Sequence, residues 1–156
     1  MSFMSFIDGW NDIIRDVIFP DESLNSLMLV PEGTNIIEYI DKYFIRAGYT
    51  NEVLTDENCR IIYGDIAPYN TDNPFVKDAM MTFDIYVKKT HLHDVDNDRL
   101  RFRTHCIAKR LQEILCNKDL RARTGFDFTP VGAYEQGTNA TGYARFCVTF
   151  RYLKVM

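Results

Sequence analysis

The densest group of potential metal ligands occupies residues 91–98, which read His-Leu-His-Asp-Val-Asp-Asn-Asp. Histidine nitrogens and aspartate oxygens bind metal ions, and the three aspartates stand at every second position, as in the first half of a calcium-binding loop. Such a loop has glycine at its sixth position and a bidentate glutamate at its twelfth, whereas Arg99 and His105 occupy these positions here. The pattern therefore favours a polar loop whose aspartates stabilise the start of the following helix.

A second group of carboxylates has the residue types needed for metal-dependent hydrolysis. Asp65 and Asp84 fall on two predicted neighbouring strands, and paired carboxylates can hold a divalent ion for nuclease-type chemistry. No Glu-x-Lys follows them, and two carboxylates on adjacent strands are common on a solvated sheet face. A metal-dependent hydrolase built on Asp65, Asp84 and residues 91–98 is therefore the weaker of two alternatives.

Other catalytic motifs are missing from the sequence. It contains no G-x-S-x-G elbow, and its glycines form neither G-x-x-x-x-G-K-[ST] nor G-x-G-x-x-G. No C-x-x-C metal or redox motif is present either. The four cysteines are Cys59, Cys106, Cys116 and Cys147. We expect reduced, mostly buried thiols, no metal, no cofactor and no enzymatic activity.

Charge is distributed unevenly along the chain. Residues 99–123 contain eight arginines and lysines against two acidic residues, a net charge of +6, although the whole chain carries −4. In the helix predicted there, Arg99, Arg103 and Arg110 lie in a narrow arc beside the apolar stripe. Such an arc suits nucleic acid, so a nucleic-acid-binding module is the other alternative. Charge matching between copies of the chain accounts better for this split.

Apolar spacing predicts two helices in the first third of the chain. One covers residues 4–18 and ends before Pro20. The other covers residues 35–47, begins with a capping pattern at Asn35 and ends at Gly48. Its predicted core-facing stripe consists of Ile36, Ile37, Ile40, Tyr43 and Phe44.

The third predicted helix lies in the basic segment. An aspartate at position 96 or 98 caps it, and it continues to Asn117. Its apolar stripe consists of Leu100, Ile107, Leu111 and Ile114.

Alternating apolar residues predict four strands, at residues 59–66, 80–89, 126–134 and 143–153. The turn-rich segments 67–78 and 135–142 lie between the members of each pair. The predicted fold is α+β, with a mainly antiparallel four-stranded sheet packed against helices in the order α-α-β-β-α-β-β. We expect a single domain over 1–156, with a helix and connection over 1–34 and an α+β core over 35–153.

Composition limits the class of protein further. Of the residues, 46% are hydrophobic and 13% aromatic, which argues against disorder. No apolar run approaches the roughly 18 residues that cross a membrane, and no secretory signal is recognised. The sequence therefore predicts a soluble intracellular protein without membrane contact.

Short apolar patterns follow one another at 43–48, 60–64, 83–87, 98–115 and 142–152. Patterns in this order resemble the small tail-terminator and head–tail joining proteins of long-tailed bacteriophages of Gram-positive hosts. The similarity spans residues 36–153 and involves no catalytic motif.

The resemblance implies a non-enzymatic virion protein that is assembled in the host cytoplasm. Proteins of this kind form a homo-oligomeric ring, commonly a hexamer, at the head-proximal end of the tail. The implied partners are other copies of the chain, the tail-tube protein and the head connector, with DNA passing through the ring lumen. Segments 67–78 and 135–142 then become contact loops. With the basic arc, the candidate assembly contacts are Tyr69, Asn70, Asp72, Asn73, Phe75, Arg99, Arg103, Arg110, Gln136 and Asn139.

Overall fold

The computed structural model describes residues 3–48, 57–69, 76–95, 101–137 and 142–155. The α-helices in these ranges are α1 Phe3–Ile13, α2 Glu22–Leu27, α3 Ile36–Lys42, α4 Arg103–Leu115 and α5 Lys118–Thr124. A π-helical turn, Ile14–Ile18, continues α1, and a 3-10 turn, Lys89–His91, follows the third strand. The helix predicted over 4–18 therefore corresponds to α1 and its π-helical continuation.

The strands form one mixed sheet, and within the described ranges they are β1 Phe44–Arg46, β2 Cys59–Tyr69, β3 Val76–Lys88, β4 Phe126–Gln136 and β5 Tyr143–Val155. Their order across the sheet is β1-β2-β3-β5-β4. Strand β1 is parallel to β2, and the other neighbours are antiparallel. The α+β class is confirmed, but the predicted four-stranded sheet has a fifth strand.

The additional strand comes from a segment predicted as helix. Asn35 caps α3 as predicted, because its side chain accepts a 2.9 Å hydrogen bond from a backbone N–H of the first turn. The helix ends at Lys42, however, and not near residue 47. The guanidinium of Arg60 on β2 donates a 2.9 Å hydrogen bond to the Lys42 carbonyl, which satisfies an open acceptor at the helix end. Phe44 then continues in β1, fully buried beside β2.

The apolar stripe predicted for this helix is partly wrong. Tyr39 is fully buried, and its ring lies 5.0 Å from that of Phe19 and 6.2 Å from that of Phe44. Ile37 and Ile40 are 62% and 37% exposed. The side of α3 that faces the core is therefore the one carrying Tyr39, and two isoleucines remain on the surface.

Helix α4 begins later than predicted. Its N-cap is Phe102, which provides no side-chain hydrogen bond. The predicted caps Asp96 and Asp98, together with Leu100, lie outside the described residues. The remaining stripe residues are buried as predicted, and they are Ile107, Leu111 and Ile114.

Helix α5 was not predicted. The Asn117 side chain accepts a hydrogen bond from the Asp119 N–H at 2.8 Å and caps the helix. Gly125 ends it at φ +76°, a conformation that favours glycine, while its N–H bonds to the Arg121 carbonyl.

Trp10 marks the centre of the core on the helical side of the sheet. Its ring centroid lies 5.7 Å from Tyr63 on β2 and 6.0 Å from Phe128 on β4. Helix α1 therefore packs across the sheet and contacts strands near both edges. Alternate residues of β3 point into this core as predicted, and they are Met81, Phe83, Ile85 and Val87.

Candidate assembly surfaces

In the described part of the histidine–aspartate segment, Asp94 interacts with other side chains of the same chain. His91 Nδ1 lies 3.0 Å from Asp94 Oδ2, and the other Asp94 carboxylate oxygen accepts a hydrogen bond from Arg103. The bonds from Arg103 and His91 lower the pKa of the Asp94 carboxyl below its usual value. Within the described ranges, no three His, Cys, Asp or Glu side chains are grouped to hold a metal ion.

The second carboxylate pair is also separated. The strand register places Asp65 opposite Met81 and Asp84 opposite Ile62, so the two positions are not neighbours across the strand pair. Asp84 instead forms a 2.9 Å ion pair with Arg145 on β5. The register and this ion pair give no support to a two-carboxylate metal site.

Arg103 was predicted to lie in a basic surface arc, and the structure contradicts that position. Its side chain is buried and donates hydrogen bonds of 2.8 Å to the carbonyls of His91 and Leu27, besides its bond to Asp94. These partners come from segments far apart in sequence, which is why the sequence pattern did not show them. Arg103 therefore holds α2, α4 and the loop before α4 together.

Arg110 is only partly available to a partner. It donates two hydrogen bonds to the carboxylate of Asp21, at 3.0 and 2.5 Å, and one to Glu113 at 3.0 Å. These groups line a cleft of about 480 Å³ between the π-helical turn and helices α4 and α5. The cleft carries acidic and basic side chains together, so its charge is largely balanced internally. Arg99, the third member of the predicted arc, lies outside the described residues.

The predicted contact loops are shorter than their sequence suggests. Strand β2 continues to Tyr69, β3 begins at Val76, and β4 continues to Gln136, which is exposed. Five of the candidate residues predicted for these loops lie outside the described ranges, and they are Asn70, Asp72, Asn73, Phe75 and Asn139.

Exposed apolar side chains identify two surfaces that the sequence did not reveal. The large exposed hydrophobic residues of the described structure lie near the two edges of the sheet. At one edge, Ile37 and Ile40 lie on α3, the helix that leads into the edge strand β1. At the other, Val131 and Tyr134 of the edge strand β4 are 57% and 53% exposed, and Leu153 lies beside β4 on β5. We call these the α3 surface and the β4 surface.

The β4 surface belongs to an unusual edge strand. Every residue from Thr129 to Gln136 is exposed, although residues 147–150 of β5, which pair with 130–134, are buried. The sheet register shifts between Pro130 and Gly132, which leaves Val131 as the extra residue of a bulge. Proline and bulges are devices that restrict pairing at a free sheet edge. Among the described strands, β4 pairs with β5 alone.

The two surfaces also differ in charge. The segment from Glu32 to Lys42 has three exposed acidic residues and one exposed basic residue. Helix α5, which packs beside β4, has three exposed basic residues and one exposed acidic residue. Asp127 lies 3.8 Å from Arg121 and offsets part of the basic charge. The α3 surface is therefore net acidic, and the α5 side of the β4 surface is net basic.

Comparison of the sequence with known protein families relates this chain to phage-associated proteins. No helix in the described ranges is long and apolar enough to cross a membrane. No curated protein matches the chain. The model of a protein family described as YomW matches residues 11–152. The match covers most of the chain and nearly all the described elements. The family name is that of a phage-like protein of the SPbeta region. The chain therefore belongs to the YomW family and is a phage-associated protein.

Proposed function

We propose that this chain is a non-enzymatic virion structural protein, a tail terminator or head–tail joining protein. In this proposal it forms a homo-oligomeric ring, a hexamer, at the head-proximal end of the tail. The ring ends growth of the tail tube and docks to the head connector. Membership of a phage-associated family carries the proposal.

The use of the polar side chains supports a structural role over an enzymatic one. Three aspartates that could take part in chemistry each bind an arginine of the same chain. Asp94 and Asp84 belong to the groups that the sequence singled out, and Asp21 lines the cleft. Such pairs fix secondary structure elements relative to one another, and they leave the carboxylates less available as metal ligands or bases. An apolar surface near each edge of the sheet suits a ring subunit, because each copy in a ring must contact two neighbours.

The nucleic-acid alternative draws less support. Two of the three arginines in the predicted basic arc, Arg103 and Arg110, bind groups within the chain. In the proposed ring, DNA makes only passing contact with the remaining basic residues. DNA binding by the isolated protein that weakens steeply with salt would instead favour the nucleic-acid module.

Assembly with the tail tube tests the proposed function. Purified protein is mixed with tail tubes of the same phage, imaged by electron microscopy and weighed by native mass spectrometry. We expect rings on one end of each tube, and we expect phage lacking the gene to produce tails of uncontrolled length or heads and tails that fail to join. A protein that stays monomeric and leaves tubes bare contradicts the proposal.

A further inference from the structure

We propose that the α3 surface of one copy covers the β4 surface of the next copy in a head-to-tail contact. This inference rests on the proposed ring and names the surfaces that build it. The occupant of each surface is therefore a second copy of this chain.

The position of the two surfaces supports a repeating contact. Strands β1 and β4 are the opposite edges of the five-stranded sheet and lie about 19 Å apart, and the α3 surface is on the helix that leads into β1. A contact between unlike surfaces leaves one of each kind free on a dimer, and it closes only when enough copies are added to complete a ring. Identical surfaces would instead pair once and stop at a dimer.

The two surfaces match in form. The β4 surface is a sheet edge among the described strands, and Pro130 and the Val131 bulge disfavour pairing with another strand there. Proteins commonly protect such edges by covering them with a helix. Helix α3 offers two neighbouring exposed isoleucines, Ile37 and Ile40, one turn apart on one side of the helix. These side chains can pack against Val131 and Tyr134 without requiring new backbone pairing.

Charge favours the same pairing. Exposed Glu38 and Asp41 border the isoleucines on α3. On α5, Lys118 and Arg121 are exposed, and Arg121 lies 3.8 Å from Asp127 at the start of β4. Opposite charges around an apolar centre direct orientation and reject like-with-like contacts. Two α3 surfaces facing each other would place acidic residues together, so the charges disfavour a symmetric dimer through α3.

Apolar substitutions test the contact first. Ile37→Asp and Val131→Asp each introduce a charge at an exposed position, so the chain is expected to fold while the oligomer dissociates. Native mass spectrometry and light scattering should show at least a tenfold fall in the amount of ring at a fixed protein concentration. Thr90→Asp, at an exposed position of the 3-10 turn, is the matched control and should leave the ring intact.

A charge exchange tests the direction of the contact. Asp41→Arg and Arg121→Asp should each weaken the ring, and the double variant should recover most of the lost assembly. Lys109→Glu, at an exposed position of α4, is the control and should have little effect. Circular dichroism of each variant confirms that the chain is folded.

The results separate this inference from the function on which it rests. Rings that persist in the Ile37 and Val131 variants would overturn the inference, because the ring would then use other surfaces, and the proposed function would stand. Symmetric dimers of the wild-type chain would overturn the inference as well. A wild-type chain that stays monomeric with and without tail tubes would overturn both.

Discussion

Arg110 and Asp21 form a two-pronged ion pair that joins the middle of α4 to the start of α2. The guanidinium Nε and Nη2 donate to the two carboxylate oxygens at 3.0 and 2.5 Å. The same carboxylate caps α2 by accepting a 2.8 Å hydrogen bond from the Leu24 N–H. One side chain thus satisfies a helix end and fixes the position of that helix against α4.

This pair makes stability depend on pH in a defined direction. Burial opposes ionisation of the Asp21 carboxyl, but hydrogen bonds from Arg110 and Leu24 outweigh it, so its pKa lies below the ordinary value of about 3.9. A carboxyl with a lower pKa in the folded state stabilises the fold above the ordinary pKa. That contribution is lost as the pH falls through the folded-state value.

We therefore predict that Asp21→Asn lowers the free energy of unfolding by about 1–3 kcal/mol near neutral pH. Asparagine also caps helices, so this variant removes the charge and keeps the cap. Urea unfolding over a series of pH values should show the difference from the wild type shrinking below a pH of about 3.9. Asp119→Asn, at an exposed position of α5, should show no comparable difference. A constant difference at all pH values would contradict this account.

Arg103 gives a second prediction, because its removal leaves buried acceptors without a donor. Arg103→Ala should lower the free energy of unfolding by about 3 kcal/mol or more, since the carbonyls of Leu27 and His91 lose their charged partner. Arg103→Lys should recover only part of this loss, because one ammonium group lacks the fork of donors that reaches all these acceptors. Thermal and urea unfolding measure both values.

The partner and a neighbour of Arg103 supply the controls. Asp94→Asn should cost less than Arg103→Ala, because the Asp94 side chain is half exposed and water can replace its partner. Lys109→Ala, at an exposed position of the same helix, should change stability by less than about 0.5 kcal/mol. An Arg103→Lys variant as stable as the wild type would show that charge alone suffices.

Local patterns predicted the elements that depend on local chemistry. The cap at Asn35, the alternation of β3 and the buried stripe from Ile107 onward all follow from spacing within a few residues. The end of α3 did not follow from spacing, because it depends on Arg60, which reaches back from β2 to the Lys42 carbonyl. Gly48 does have a positive φ of +94°, as a helix stop would, but it follows β1 and not α3.

The candidate site was harder to predict for the same reason. Sequence spacing placed Arg103 and Arg110 on one side of a helix, but their partners Leu27 and Asp21 are 76 and 89 residues away. The α3 surface was hidden by a similar ambiguity, since Tyr39 and Ile37 can both face a core and only packing against Phe19 decides between them. Long-range contacts therefore determined which polar and apolar residues remained on the surface.

Trp10 provides a third prediction, because it is the one tryptophan in the chain and is buried among aromatic rings. Its fluorescence emission should be shifted to the blue in the folded protein and should move to the red as the chain unfolds. Trp10→Ala should cost about 3–5 kcal/mol because it leaves a large cavity. Trp10→Phe should lower the free energy of unfolding by less, because a phenyl ring still fills part of the space. This variant also removes the indole N–H, which has no acceptor among the described residues. Circular dichroism measures the stability of both variants.

Cysteine reactivity gives the last prediction. Burial raises the pKa of the Cys59 thiol to about 12 and that of the Cys147 thiol to about 11, and both side chains are almost inaccessible to solvent. Burial also raises the pKa of Cys116, although that residue is partly exposed. Because the thiolate is the reactive form, both access and ionisation protect Cys59 and Cys147 in the folded chain.

Labelling with a thiol reagent at neutral pH should therefore proceed in separate stages. Cys106, which is partly exposed, should react first, followed by Cys116, whereas Cys59 and Cys147 should react only as fast as the chain unfolds. Mass spectrometry of peptides resolves the four positions, and all four should label rapidly in denaturant. Cys59→Ser should keep the position unreactive but destabilise the fold, because the acceptor near this buried site is the Leu27 carbonyl, 4.0 Å from Cys59 Sγ and already bonded to Arg103. Rapid labelling of Cys59 in the native protein would show that β2 opens locally at its first residue, and would place the stability of that strand well below that of the core around Trp10.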